Sequence, residues 1–157
     1  MSYTIHELQP GEAKSKCSNI NWCTQFMVPT LLENGIDMNE VFVTILDADS
    51  MVPALYTDQV TKHIQNNYEK RHRYIYQPPQ VFTCNTNEVP FLVSTMDSIM
   101  SYMHSSNLYS VFKYTMAVSN YTISYRLLER IGFWDTCEYS RGEDVRITSK
   151  AYWKTGG

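Results

Sequence analysis

The chain has 157 residues, of which 43% are hydrophobic and 18% are charged, a balance typical of a globular domain and not of a disordered protein. Its 13 basic and 16 acidic residues give a net charge of −3, which argues against nucleic acid as the main partner because phosphate backbones require clustered Lys and Arg. The four cysteines lack the C-x-x-C spacing of zinc and redox motifs, and no stretch reaches the roughly 18 apolar residues of a membrane span.

Strands and helices are predicted to alternate along the first half of the chain. The apolar, β-branched run VFVTIL is typical of a strand that is covered on both faces. Pro29 is expected to kink or divide the helix in which it lies, and Pro53 is expected to open the next one. In chain order, the patterns predict a strand at 3–8, a helix over 12–34, a strand at 41–46, a helix over 53–70 and a strand at 73–77.

The second half of the chain continues this alternation. Gly132 is a suitable helix stop, and a helix that begins at Glu143 has two acids in its first turn, where the helix dipole favours them. The patterns predict a loop at 80–90, a helix over 90–106, a strand at 111–118, a helix over 123–132 and a helix over 143–156. The alternation predicts an α/β fold with a mainly parallel sheet flanked by helices.

Two aspartates, Asp47 and Asp49, follow the apolar strand at 41–46. Ligands of open α/β sheets bind beyond the carboxyl ends of the strands, and residues i and i+2 of a strand share a face. Both carboxylates are therefore expected to reach one divalent ion. Alternatively, one carboxylate binds the ion and the other binds a ribose. Their oxygen atoms suit Mg²⁺ or Mn²⁺.

Three other interpretations of the pair compete with a metal site, and the sequence excludes one of them. An EF-hand loop is excluded, because Met51 and Val52 stand where it needs an oxygen ligand and a glycine. A phosphatase of the haloacid dehalogenase type also has a strand that ends in Asp-x-Asp, but Met51 departs from its usual Thr or Val. Asp49 or Ser50 could instead cap the following helix.

A second acidic pair, Glu143 and Asp144, begins the last predicted helix. Acids at a helix start often serve only as caps. Together with Asp-x-Asp, however, they match the needs of a transferase that uses a diphosphate-activated donor. A metal would neutralise the departing diphosphate, and a separate carboxylate would accept the proton of the attacking hydroxyl.

Segments of the chain resemble, in order, family 2 glycosyltransferases with the GT-A fold, including cellulose synthase and hyaluronan synthase-like enzymes. The segment at 12–23 corresponds to the stretch that has a lysine and an asparagine ahead of Asp-x-Asp in this family, here Lys16 and Asn19. The similar segments are EAKSKCSNINWC (12–23), VTILDADSMVP (43–53), SNYTISYRLLERIGFWD (119–135) and GEDVRITSKAYWKTGG (142–157).

The resemblance implies a glycosyltransferase of the hexosyltransferase type, which transfers a sugar with inversion. The donor would be a nucleotide-diphosphate sugar, with a UDP-sugar foremost, and the acceptor a carbohydrate or lipid-linked hydroxyl. It implies that Asp47 and Asp49 hold the Mg²⁺ or Mn²⁺ and the diphosphate. Asp144 is the preferred base, with Glu143 as its neighbour or substitute.

Further residues are assigned to the site by the same resemblance. Lys16 and Asn19 are expected to line the donor or acceptor side, and Trp134 and Tyr121 could form a wall on which the acceptor stacks. The Gln-x-x-Arg-Trp motif of processive members is absent from these residues.

The N-terminal part of the fold is expected to be incomplete, because few residues precede Asp47. We therefore expect residues 1–157 to form a single partial catalytic domain. The full-length protein is expected to be membrane-associated, with this domain facing the cytoplasm. A metal-dependent phosphohydrolase and a non-catalytic sugar-binding or scaffold remnant remain as alternatives.

Overall fold

A computed structural model describes residues 3–82, 87–108, 117–137 and 142–156 of the chain. Met1–Tyr76 and Met116–Gly157 form one compact unit, and Gln77–Thr115 form a second. The helices and strands are α1 (Lys16–Glu33), β1 (Phe42–Ile45), α2 (Tyr56–Asn66), β2 (Ile75–Tyr76), α3 (Phe91–Leu108), β3 (Tyr121–Ser124), α4 (Tyr125–Ile131) and α5 (Glu143–Thr155), with 3₁₀ helices at Met38–Glu40 and Tyr68–Arg73.

Helix α1 begins later than the sequence pattern predicts. Ser15 is its N-cap, and the Ser15 hydroxyl accepts a hydrogen bond from the backbone N–H of Ser18. This cap satisfies a donor that has no partner inside the helix, so the helix starts at Lys16. Pro29 lies within the helix without dividing it, and Gly35, at φ +70°, follows the end of the helix.

The sheet has three strands in the order β1-β3-β2, and both of its pairings are antiparallel. The prediction of a mainly parallel sheet is therefore wrong for the described strands, although the α/β class is confirmed. Because β1 and β2 are each antiparallel to β3, they run in the same direction, as the helical connection through α2 predicts. Strand β3 lies between them and runs in the opposite direction to both.

Periodicity does not identify β3 as a strand. The sequence pattern instead predicts a helix that begins at residue 123, inside this strand. All four of its residues are buried, and Ser124 ends the strand and caps α4 by accepting a hydrogen bond from Leu127 N. A four-residue strand followed at once by a helix leaves too few residues for an alternating pattern. The predicted stop of that helix is confirmed, since Gly132 adopts φ +79°.

The remaining predicted strands and helices agree with the structure only in part. The strand predicted at 3–8 is wrong, because these described residues form neither helix nor strand. Strand β1 is covered less than expected, since it is an edge strand on which Thr44 is exposed. The helices predicted over 53–70, 90–106 and 143–156 correspond to α2, α3 and α5. Most of the strand predicted at 111–118 falls outside the described residues.

The main core lies where β3, α4 and α5 pack together. Its fully buried side chains include Tyr121, Ile123, Leu127, Leu128 and Ile147. This packing holds the first turn of α5 beside the start of β3 and so places the acids of α5 close to the end of β1. None of the helices in the described ranges is long and apolar enough to cross a membrane.

Candidate functional site

The Asp-x-Asp aspartates lie in a turn and not on a strand. Strand β1 ends at Ile45, and the backbone N–H of Ser50 donates to the carbonyl of Asp47 over 3.0 Å. The alternation rule for strands, on which the predicted shared face depends, therefore does not apply to this pair. Asp47 is half-buried, whereas Asp49 is exposed.

Capping does not explain this first acidic pair. The N-cap residue of α2 is Leu55, which follows a turn that begins at Pro53. Asp49 and Ser50 precede that turn, so neither occupies the N-cap position of the helix. Instead, the Ser50 hydroxyl donates a hydrogen bond to Asn120 Oδ1 over 2.9 Å.

Lys16, the first residue of α1, joins the two acidic pairs. Its Nζ forms an ion pair with Asp47 Oδ1 and lies 3.0 Å from Glu143 Oε1. Burial alone lowers the pKa of Lys16, but the hydrogen bonds and charges of the two carboxylates outweigh it and raise the pKa above the usual lysine value. The same contacts overcome the effect of desolvation at Asp47 and Glu143 and lower the pKa of both carboxyl groups.

Glu143 and Asp144 are the first two residues of α5, but neither is its N-cap. That position belongs to Gly142, which adopts φ +70° and therefore favours glycine. The capping interpretation of Glu143 and Asp144 is thus wrong in its strict form. Both carboxylates still lie at the positive end of the helix dipole, which favours negative charge.

The Asp144 carboxylate has different contacts from that of the adjacent Glu143. Its Oδ2 accepts a hydrogen bond from Ser119 N over 2.8 Å, while its Oδ1 is buried and has no hydrogen-bond partner among the described residues. Desolvation raises the pKa of Asp144 above the usual aspartate value, and the charge of Glu143 adds to this against the effect of the Ser119 bond. The pKa values of the two adjacent acids are therefore displaced in opposite directions.

Ser119 and Asn120 connect the two acidic segments and were missed by sequence reasoning. Asn120 Oδ1 accepts the backbone N–H of Asp47 over 3.0 Å, so this side chain fixes the turn after β1. Ser119 has φ +52°, a conformation that is uncommon for residues with a side chain, and its N–H points to Asp144. The available signal was a pair of small polar residues shortly before the β-branched residues Thr122 and Ile123.

Asn19, a predicted binding residue, contacts a different group. Its Oδ1 lies 2.9 Å from His6 Nδ1, and His6 Nε2 lies 3.0 Å from Glu12 Oε2. The His6 ring also stacks on Trp22 with 5.0 Å between centroids. These contacts attach the segment before α1 to the helix, and the described contacts of Asn19 do not include the acidic residues.

Trp134 and Tyr121 do not form an acceptor wall. Trp134 is 4% exposed and Tyr121 is 0% exposed, so neither ring offers a face to a ligand. The indole Nε1–H donates to the Tyr121 hydroxyl over 2.9 Å, which satisfies both polar groups inside the core. The assignment of these two rings to an acceptor wall is therefore wrong.

Tyr121→Phe is expected to lower the free energy of unfolding by about 1–3 kcal/mol, because the buried indole N–H of Trp134 loses its acceptor. Chemical denaturation of the two proteins measures the difference. Tyr3→Phe is a suitable control, because Tyr3 is 86% exposed and its hydroxyl is not part of the core. Equal stability of Tyr121→Phe and the parent would show that water or another group satisfies the indole.

The acidic residues suit a cation in their charge and in their geometry. Asp47 and Glu143 already converge on one cation, the ammonium of Lys16. Within the described ranges, no three Asp, Glu, His or Cys side chains form a group that could hold a metal alone. Mg²⁺, however, is usually held by one or two carboxylates together with substrate phosphates. Asp47 and Glu143 could therefore hold such a metal only together with phosphate oxygens from a substrate.

Comparison with known proteins supports a family assignment. The sequence profile described as "Glycosyl transferase family group 2" matches residues 42–157, a range that includes both acidic pairs and begins after α1. No curated protein and no solved structure matches the chain. The profile covers most of the chain, and on this match the chain belongs to glycosyl transferase family group 2 and is a glycosyltransferase in the broad sense of that family.

Proposed function

We propose that the chain is the catalytic part of an inverting glycosyltransferase with a GT-A-like fold. It transfers a sugar from a nucleotide-diphosphate donor, with UDP-sugars foremost, to an acceptor hydroxyl with the help of Mg²⁺ or Mn²⁺. The observation that carries this proposal is the double contact of Lys16 with Asp47 and Glu143. This contact links the Asp-x-Asp turn to the start of α5, although they are far apart in the sequence, and so supports a shared site.

The donor side of the proposed site is formed by Asp47 and Asp49. A divalent metal bound there would offset the negative charge that develops on the departing diphosphate. Asp49 is exposed and thus accessible to a ligand, while the hydrogen bond from Asp47 N to Asn120 holds the turn in place. Lys16 contributes a positive charge beside the same turn.

The base of the proposed reaction is Asp144. A general base is most effective when its pKa lies near the working pH, and burial moves the pKa of Asp144 upward in that direction. Its Oδ1 has no hydrogen-bond partner among the described residues and is buried, so it would accept the proton of the acceptor hydroxyl once the groups that cover it move aside. Glu143 suits this role less, because Lys16 binds its carboxylate and stabilises the ionised form.

The proposals on the acceptor and the cellular context are supported by the resemblance to the family and not by a contact in the structure. We infer a carbohydrate or lipid-linked acceptor, since a hydroxyl nucleophile is what Asp144 could deprotonate. We also infer that residues 1–157 are part of one catalytic domain, and that the full-length protein is membrane-associated with this domain facing the cytoplasm.

Two measurements on the intact chain test the proposal. Calorimetric titration with UDP should show markedly tighter binding in the presence of Mn²⁺ than in its absence. Incubation with UDP-sugars and candidate acceptor glycans should release UDP only when an acceptor is present. Release of inorganic phosphate would instead indicate the phosphohydrolase alternative, and sugar binding that neither Mn²⁺ nor UDP affects would indicate a non-catalytic binding protein.

A further inference from the structure

Lys16 contacts one carboxylate from each of the two acidic pairs, Asp47 and Glu143. We propose that Lys16 acts as the counter-ion of Asp47 and Glu143 in the donor-free protein and thereby excludes a divalent metal from Asp47, so that the metal enters with the donor and not before it. This inference rests on the proposed function, because it concerns the order in which the metal and the donor bind.

The geometry places one ammonium between carboxylates of two separate elements. Asp47 lies in the turn after β1 and Glu143 in the first turn of α5, and Lys16 Nζ contacts both. The Glu143 side chain is 17% exposed, whereas those of Lys16 and Asp47 are 33% and 36% exposed. The contact is thus partly shielded from water, which strengthens it relative to an ion pair on the open surface.

The charges explain why this ammonium would exclude a metal. The carboxylates of Asp47 and Glu143 both contact the Lys16 ammonium, and their negative charge would attract another cation in its absence. Lys16 neutralises part of this charge and fills the position between two of the carboxylates. A metal that approaches alone must therefore displace the ammonium and leave it without its partners. A diphosphate supplies new oxygen acceptors for the displaced ammonium, so the exchange becomes favourable when metal and donor arrive together.

The test measures Mn²⁺ binding without nucleotide, by the electron paramagnetic resonance signal of free Mn²⁺. Lys16→Met removes the charge and keeps a long apolar side chain, and it should bind Mn²⁺ at least about tenfold more tightly than the parent, a difference of about 1.4 kcal/mol. Lys16→Arg keeps the charge and should bind as weakly as the parent. Lys14→Met is the matched control, because Lys14 is exposed and lies two residues before Lys16.

A second readout covers the effect of the substitution on folding. Without Lys16 the carboxylates repel one another, so Mn²⁺ should raise the melting temperature of Lys16→Met more than that of the parent. If Lys16→Met does not fold, Lys16→Gln is measured in the same two ways. Mn²⁺ binding by the charge-free variant that is equal to or weaker than that of the parent would overturn the inference. Failure of the proposed function is seen separately, as UDP binding in the parent that Mn²⁺ does not affect.

Discussion

Asp144→Asn is expected to lower kcat by about 10²–10⁴-fold, the usual contribution of a general base, while donor affinity changes little. The asparagine keeps the shape of the side chain and can still accept the hydrogen bond from Ser119 N. It cannot accept the proton of the acceptor hydroxyl, so only the chemical step is affected. Turnover with one acceptor and calorimetric donor affinity separate the two effects.

Glu143→Gln is the comparison variant for this experiment. Glu143 precedes Asp144 in the first turn of α5, but its carboxylate binds Lys16. Its replacement should therefore affect kcat less than Asp144→Asn does and should alter the environment of Lys16. If Glu143→Gln were inactive while Asp144→Asn turned over like the parent, the base would be Glu143. If neither substitution slowed transfer, the proposed mechanism would be wrong.

The raised pKa of Asp144 adds a dependence on pH to this prediction. Burial favours the protonated carboxyl, so the folded state binds this proton more tightly than the unfolded state does. The resulting stability is present below the usual aspartate pKa and is lost as the pH rises through the raised value. Asp144→Asn should therefore be at least as stable as the parent at neutral pH. In the parent, activity should rise with pH through the raised pKa of Asp144, because only the ionised base accepts a proton.

Local sequence signals predicted the parts of the fold that depend on local interactions. Gly132 ends α4 because a left-handed residue there closes the helix, and this requirement is visible in the sequence. The central strand β3 was missed because its four residues form a strand only between β1 and β2. Its burial is a property of the assembled sheet and not of its own pattern.

In the candidate site, too, the sequence predicted the local features but not those that depend on tertiary packing. The composition of the two acidic pairs could be read from the sequence, but their connection through Lys16, Ser119 and Asn120 depends on tertiary packing. The strand rule placed Asp47 and Asp49 on one face, and it does not apply because β1 ends two residues before Asp47. Asn19 matched the expected motif, but its side chain binds His6 before α1.

Asp47→Asn and Asp49→Asn are expected to weaken donor binding for different structural reasons. Asp47 binds Lys16, so its replacement removes a partner of that ammonium and a carboxylate beside the proposed diphosphate position. We expect kcat/KM to fall by at least about 100-fold, more than the 10–100-fold typical of outer-shell partners of a metal. Stability should also fall, because Glu143 is then the remaining carboxylate partner of the half-buried Lys16 ammonium among the described residues.

Asp49→Asn provides the cleaner test, because Asp49 is exposed and its replacement should leave the melting temperature unchanged. If Asp49 holds the metal that a diphosphate shares, the variant should lose most of the increase in UDP affinity that Mn²⁺ causes, and kcat should fall as well. Calorimetry with UDP, with and without Mn²⁺, measures this linkage. Asp58→Asn removes the same charge from an exposed position in the first turn of α2 and should retain the linkage. An Asp49→Asn variant that binds UDP with the full effect of Mn²⁺ would exclude Asp49 as a metal ligand and leave Asp47 as the sole carboxylate of the turn that could fill this role.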